Sequence, residues 1–593
     1  MDNQMKRYID HYQYLVRRSK HLPLVLLLAM VSALLLLDAI LPLRSLWFHD
    51  ALLTRLGTWP ILLTHILFPH QAIMPYIPAA PAVKLPVPPG SWKDTALLLA
   101  AFLNVFLLYL LALRLLPQRI SYRYILSSTL LLGILCVLIP VVASTDVFSY
   151  IVYARLGVVY HLNPLTSLPT AIQNDPVYHY LSWHTQPSVY GPVWTLITCF
   201  FQWLALSFGH KSIVMMVLVL RIVALVSHLG STWVIWSISG HLVRRFGLIS
   251  LEKRLAATLA FAWNPLLLFE ACVNAHNDAT LLLCILLSIW FLVRRTQITT
   301  RDYILAAAVF ALAMCIKLNV ILLAPGLLLF LWMQPHNVRN IVLTIATSLG
   351  IVILLYAPFW QNGAALKVLE VNPATYRIVN SPAEFLSYLY NGIYNRITDP
   401  SKHHPITVYI GSESGHVTHL LSMVIFLILY GILLWRASHA PHRIDNLPEL
   451  FRWQALAWLL YCAFGAPWFW PWYAVTFFGL FALIEVTDKG VSFGLLHPFV
   501  VRIFTFSLLS VYCFLTWKPL HTVIPELPGF LWTYVRGLWI WILPLLALLA
   551  IHLHSKFRGV LQKLSMLARP HIKRAYSLMS SASAYLSDSA RSV

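Results

Sequence analysis

Apolar runs decide the fold class before any other feature does. Leu22–Leu43 and Ala96–Leu116 are each long enough to cross a bilayer as a helix, and such runs recur along the whole chain. Of the 593 residues, 59% are hydrophobic and 11% charged, against roughly 25% charged in a soluble domain. Inside lipid every backbone N–H and C=O must find a partner within the protein, so such a chain folds as a helix bundle. The sequence predicts an all-α polytopic membrane protein with about fourteen spanning helices. Lys6, Arg7, Arg17, Arg18 and Lys20 precede the first run, which is too long for a signal-peptide core and reads as an uncleaved anchor.

Orientation follows from the cations. Assigning 1–21, 114–123, 240–254, 294–301, 336–340, 436–452, 485–502 and 552–593 to the cytoplasm puts most of the 42 Lys and Arg on that side. Both termini are then cytoplasmic, and the multi-pass chain belongs in the inner (plasma) membrane. The net charge of +21 reads as this bias together with attraction to anionic lipid, not as a nucleic-acid footprint, because no folded domain carries it. One apolar segment, 190–208, breaks the parity if it crosses. It is therefore read as a re-entrant or interfacial helix on the outer side, which is tolerated where protein or a water-filled cavity covers it. The expected spans at 279–293, 303–316, 318–333 and 472–484 are short, as helices lining a binding site often are.

Three polar segments lie outside: 44–94, 144–189 and 359–417. The last mixes rings and cations (Tyr376, Arg377, Tyr388, Tyr390, Tyr394, Arg396), as surfaces for carbohydrate and lipid phosphate do, and as interfacial aromatic belts also do. All seven cysteines sit in apolar segments without a CxxC pair, and there is no Gly-rich phosphate loop. Neither a metal nor a cofactor is expected. What remains are ionisable residues at membrane depth or at its edge, which cost roughly 2.5–3.5 kcal/mol each at a helix centre and are functional suspects by default. They are Asp146, Glu270, Asp278 and Lys317, with Asp38 near the end of a leucine run and Arg155 and Arg221 on outer-side segments. A structural ion pair is an equally open reading for each.

The segments Asp146-Val147-Phe148-Ser149-Tyr150, Asn163-Pro164, and Trp183 with Tyr190-Gly191-Pro192 resemble the first outer loop of GT-C glycosyltransferases. Asn264-Pro265-Leu266, His276-Asn277-Asp278 and Pro471-Trp472-Tyr473 follow in the same order. Together they are most similar to the polyprenol-phosphate-mannose-dependent α-1,6-mannosyltransferases of lipomannan synthesis. The resemblance implies a GT-C fold with a catalytic module over 122–333, including outer loop 144–212. An extra hairpin (1–121) precedes it, a variable region (334–551) follows, and a basic tail (552–593) ends the chain.

It further implies an inverting hexosyltransferase that needs no cofactor and moves mannose from a polyprenyl-phosphate donor to a glycan or glycolipid acceptor. Such chemistry needs a carboxylate to take the acceptor's proton, for which Asp146 is the candidate. A cation must meet the departing phosphate: Lys317, with Arg155 or Arg221. Asp278, His276, Asn277, Glu270, Tyr190 and Tyr150 are left to orient substrate. A transporter or flippase of lipid-linked sugars suits broken helices and buried charge equally well.

Topology gives the first test. In a background lacking native cysteines, Gly209→Cys is expected to react with an impermeant thiol reagent applied outside. Protection there, with outside labelling at Arg244→Cys, would invert every later loop.

Overall fold

The computed structural model describes residues 20–46, 49–51, 59–71, 92–209, 212–247, 249–334, 337–372, 377–387, 413–487, 494–516 and 537–556. Tyr376, Tyr388, Tyr390, Tyr394 and Arg396, and the tail after 556, lie outside them. Helices of nine residues or more begin with α1 (Leu22–Ile40), α2 (Trp59–Leu67), α3 (Trp92–Leu115), α4 (Tyr122–Val137), α5 (Asp146–Val158), α6 (Pro192–Ser207), α7 (Ile213–Phe246) and α8 (Leu251–Ala262). After them come α9 (Asp278–Val293), α10 (Thr300–Met314), α11 (Ala324–Trp332), α12 (Asn337–Tyr356), α13 (Glu413–Ser438), α14 (Leu447–Leu460), α15 (Val475–Thr487), α16 (Pro498–Thr516) and α17 (Gly537–Lys556). One two-stranded antiparallel ribbon joins β1 (His49–Ala51) to β2 (Val141–Val142).

Among the described residues six helices, α1, α3, α7, α12, α13 and α17, are long and apolar enough to cross a membrane. A seventh crossing is available if α8 and the stretch Pro265–Val273, bent by 42° at the intervening break, form one span. The expected short spans at 279–293, 318–333 and 472–484 coincide with shorter apolar helices, and Tyr122–Val137 and Pro498–Cys513 are of the same kind. The segment 190–208 is also of this shorter kind, with Trp194, Thr195, Thr198 and Gln202 turned inward while Leu196, Phe200 and Trp203 stay exposed. Gly209 ends that segment at φ +74 with nothing within 4 Å of an added Cβ, so a cysteine there meets backbone strain but no clash.

Burial sorts the helices. α15 is apolar around its whole circumference and almost wholly buried, which marks a helix in the middle of a bundle. It packs on α8, α14 and α9, while α9 lies between α7 and α10. α12 and α13 keep most of their apolar surface exposed (Val342, Leu349, Ile353; Leu420, Leu427, Ile428), as lipid-facing helices do.

Helix ends follow from local sequence. Ser121, Ser212 and Ser250 each accept a hydrogen bond from the backbone N–H three residues on, and Thr299 with Asp302 closes a capping box. Gly247, at φ +76, ends the long α7. Two breaks bring polar residues into the middle of the bundle. Between α8 and α9 the chain passes through a π-turn, Phe269–Val273, and a left-handed Ala275 (φ +57). Between α10 and α11 it leaves helical geometry at Lys317 and re-enters through a 3₁₀ turn, Leu318–Leu323.

Candidate active site

Asp146 is set in place by the end of α4. The last carbonyls of a helix have no partner of their own, and here Arg221, from α7, meets that of Val137 together with two in the stretch that follows α4. Its guanidinium donates to the carbonyl oxygens of Val137 (2.8 Å), Ile139 (2.6 Å) and Val141 (2.6 Å). A fully buried cation is thereby surrounded by oxygen, and the chain is carried through β2 to Thr145 and the start of α5. Asp146 occupies the first turn of α5, where helix N–H groups favour negative charge. Its side chain keeps 20% of its surface, all that connects it to an adjoining cavity. Enclosure by protein pushes its pKa up to about 6; Lys317 and the Tyr190 hydroxyl pull it down, and Asp278 pushes it further up.

The backbone ahead of Lys317 is held by backbone partners. The N–H groups of Gly191 and Val193 donate to the carbonyls of Ile316 and Cys315, each at 3.0 Å. A Cβ on Gly191 would stand 2.1 Å from the Cys315 oxygen, so only glycine allows this approach. Tyr190-Gly191-Pro192 thus docks α6 onto the break before Lys317. From there Nζ reaches Asp278 Oδ2 at 2.6 Å and lies 5.2 Å from the Tyr473 ring. The lysine's structural partner is Asp278, and Glu270 lies elsewhere in the same broken stretch.

Glu270, fully buried, accepts from the Tyr512 hydroxyl (2.7 Å) and from Asn274 Nδ2 (2.9 Å). Between it and Asp146 stands His276, with Nε2 3.5 Å from Glu270 Oε2 and Nδ1 3.8 Å from Asp146 Oδ2. The imidazole stacks on Trp472, ring centres 3.9 Å apart. Burial, and secondarily Lys317, hold its pKa well below the ordinary histidine value, so it is neutral. Asn277 is buried with neither side-chain polar atom hydrogen-bonded, and its N–H points at the Tyr150 hydroxyl at 3.5 Å. Tyr150 is wedged edge-on between Tyr190 and Trp194.

Asp146, Tyr190, Lys317 and Asn319 open into a cavity of about 780 Å³, and Glu270, His276, Asn277 and Tyr150 lie outside its lining. Indoles form much of its wall. Trp470 and Trp472 stack in parallel at 5.1 Å, and Trp183 meets Trp468 edge-on at 5.5 Å. The Arg377 guanidinium lies 4.4 Å above Trp183 and 6.0 Å from Trp468. Val379 ties this corner together, donating to the Pro467 carbonyl and accepting from Phe469 N–H, both at 2.9 Å. Pyranose faces stack on indoles and anions meet guanidinium groups, so the cavity is suited to a sugar that carries a phosphate. Its volume falls within the roughly 300–1,000 Å³ usual for ligand sites.

Not every sequence candidate is here. Arg155 forms a bidentate pair with Asp175 (2.7–3.0 Å) that also takes the Tyr160 hydroxyl (2.9 Å), and it does not line the cavity. Arg221 is committed to three carbonyls, so neither arginine is free to meet a phosphate as it stands. Asp38 is buried beside Arg221 and does not reach an interface. Asn163 and Asn264 hold turns: Asn163 accepts from Leu165 N–H, and Asn264 from those of Leu266 and Leu267. Trp468, Trp470, Asn319 and Gln186 line the cavity without having been singled out by sequence. A signal for the two indoles exists in Trp468-Phe469-Trp470, directly before the Pro471-Trp472-Tyr473 motif.

Residues 76–334, somewhat under half of the chain, match the family described as alpha-(1->6)-mannopyranosyltransferase, N-terminal domain. The match takes in α3 and runs to the end of α11, so it contains Asp146, Glu270, His276, Asp278 and Lys317 but not the indoles at 468–472. No curated protein and no solved structure matches the chain.

The clamp on the α4 carbonyls makes its own prediction. Arg221→Met leaves three buried oxygens without donors, at about 1–3 kcal/mol each. The purified variant is expected to unfold at a clearly lower temperature and to recover little in Arg221→Lys, whose ammonium lacks the guanidinium fork. Unchanged thermal stability, with weakened donor binding instead, would return Arg221 to the substrate.

Proposed function

The protein is a glycosyltransferase carrying a mannosyltransferase-family domain, and we propose that it moves mannose from a polyprenyl-phosphate sugar to a glycan or glycolipid acceptor on the extracytoplasmic face. The observation that supports this most is that Asp146 and Lys317, a carboxylate and a cation from opposite sides, open into one indole-walled cavity. Nucleotide sugars are confined to the cytoplasm, so an outward-facing transferase needs a donor delivered through the bilayer.

In this reading the acceptor hydroxyl attacks the anomeric carbon while Asp146 takes its proton. The bond from that carbon to the phosphate oxygen breaks, and the electron pair leaves with the lipid phosphate. Charge grows on that phosphate as the bond lengthens. Lys317, held ready by Asp278, and Arg377, which has no carboxylate partner among the described residues, are the cations that meet it. Trp183, Trp468 and Trp470 seat sugar rings. Tyr190 restrains Asp146, and Asp278 acts through Lys317 instead of touching the acceptor. Attack opposite the leaving phosphate inverts the anomeric centre.

Asp146→Asn keeps the side chain's size but cannot accept the proton. Turnover of radiolabelled polyprenyl-phosphate mannose is expected to fall roughly 10²–10⁴-fold with donor affinity retained. Because the base must be ionised and its pKa is raised to about 6, wild-type kcat/KM is expected to be lost as pH falls through about 6 and flat above it. A flat profile down to pH 4.5, or wild-type turnover in Asp146→Asn, would remove Asp146 from the chemistry.

Lys317→Met alone would strand the buried Asp278 carboxylate, a loss of about 3–5 kcal/mol that would confuse folding with function. The double variant Lys317→Met/Asp278→Asn removes both charges. It is expected to insert and fold, and to lose donor use by at least tenfold. Wild-type kinetics in the double variant would make the pair purely structural.

A further inference from the structure

Glu270 and His276 are titratable and fully buried, and neither takes part in the transfer step itself. They stand in line behind Asp146, on a stretch whose π-turn and left-handed Ala275 bring both side chains to one side. Both imidazole nitrogens lack a hydrogen bond at this spacing. We infer that Asp146, His276 and Glu270 form a proton relay that carries the acceptor's proton away from the base during transfer. This rests on the proposed transfer reaction and adds to it the route the proton takes.

The hydrogen-bond inventory fixes the direction. Glu270 already accepts from Tyr512 and Asn274, and its Oε2 stands 3.5 Å from His276 Nε2, so a carboxylate there favours the tautomer that carries its proton on Nε2. That tautomer leaves the Nδ1 lone pair facing Asp146 Oδ2. Closing 3.8 Å to hydrogen-bond length takes about 1 Å of movement, the tightening usual when a substrate enters. The proton then moves from acceptor hydroxyl to Asp146 and from Asp146 to Nδ1. The imidazolium formed lies between two carboxylates and against the Trp472 face, which offset for the length of the transfer the burial and the Lys317 charge that keep the resting ring neutral. When product leaves, the proton returns through Asp146 to cavity water or to the phosphate monoester, and the relay is reset.

Charged and titratable groups approach the pair from every element packed there. They are Asp146 on α5, His228 on α7, Tyr512 on α16, Asp278 at the start of α9, and Lys317 before α11. Lys317 opposes an imidazolium, but Asp278 offsets it at 2.6 Å. Behind the imidazole a separate space of about 10 Å³, the size of one water molecule, is bordered by Glu270, His276, His228 and Ser231. A relay needs that room for its ring to shift, whereas a packed structural histidine does not.

The test compares Glu270→Gln and His276→Phe with wild type and Asp146→Asn, using purified protein, radiolabelled polyprenyl-phosphate mannose and a mannoside acceptor. His276→Phe keeps a ring on Trp472 and removes both nitrogens. Each variant is expected to lower the high-pH plateau of kcat ten- to a hundredfold, with both KM values within twofold and the acid limb still near pH 6. Unchanged kcat in both variants, or raised KM with unchanged kcat, overturns the relay in favour of a structural or substrate-holding pair. Should Glu270→Gln fail to fold, Tyr512→Phe decides: a several-fold lower plateau supports the relay and an unchanged one refutes it. Full activity in Asp146→Asn, or no product from the wild type, instead refutes the transfer reading and the relay with it.

Discussion

Gly191 against the Cys315 carbonyl is the contact on which the rest of the site depends. A chain that leaves helical geometry near lipid exposes N–H and C=O groups that lipid cannot satisfy. Here one irregular stretch satisfies another: Gly191 and Val193 donate to the carbonyls just ahead of Lys317. The same economy appears at the end of α4, where Arg221 serves three carbonyls, and at Asn264, which serves two N–H groups and donates to Thr505. Each break is filled by another part of the protein, and the breaks lie together because each completes the next.

That arrangement puts three carboxylates, a lysine and a histidine within one small volume, which would be costly were they not grouped by sign. Asp278 meets Lys317 directly, and Glu270 is supplied by a phenol and an amide. Asp146 is the carboxylate left most accessible, with its surface turned to the cavity. The result is a gradient of commitment. The carboxylates deepest in the fold, Glu270 and Asp278, are partnered, and the one facing the cavity has capacity left over. Asp146 keeps the capacity that its neighbours' requirements leave over.

The fold class was legible in the sequence because solvation by lipid leaves a compositional mark that no soluble protein shares. Helix ends were legible in part: Ser121 and Gly247 act where their residue types suggest. The breaks at 270–278 and 317 were visible as ionisable residues interrupting apolar runs, which singled out Glu270, Asp278 and Lys317, while His276 was reached only through the motif resemblance. Partnership was not visible. Whether Arg221 meets a phosphate or a row of carbonyls depends on which helix lies against it, and residues 84 apart carry no local trace of that choice. The two Asn-Pro pairs show the converse, since their motif value is met by local turn geometry. Trp468 and Trp470 were overlooked because an aromatic cluster near a span reads equally well as an interfacial belt.

The site is assembled from α5, the turn before α6, the π-turn, the break before α11 and the Trp468–Tyr473 stretch, with α16 behind them. Some of its closing contacts join residues more than two hundred positions apart, such as Asn274 with Tyr512 and Asn264 with Thr505. Local helices form early and distant contacts late, because closing long loops has an entropic cost that must be met before any contact rewards it. During synthesis Asp146 and His276 enter the bilayer long before α16 has left the ribosome. The chain is therefore a membrane protein well before it is an enzyme, and its polar centre remains unfinished until almost the last helix arrives.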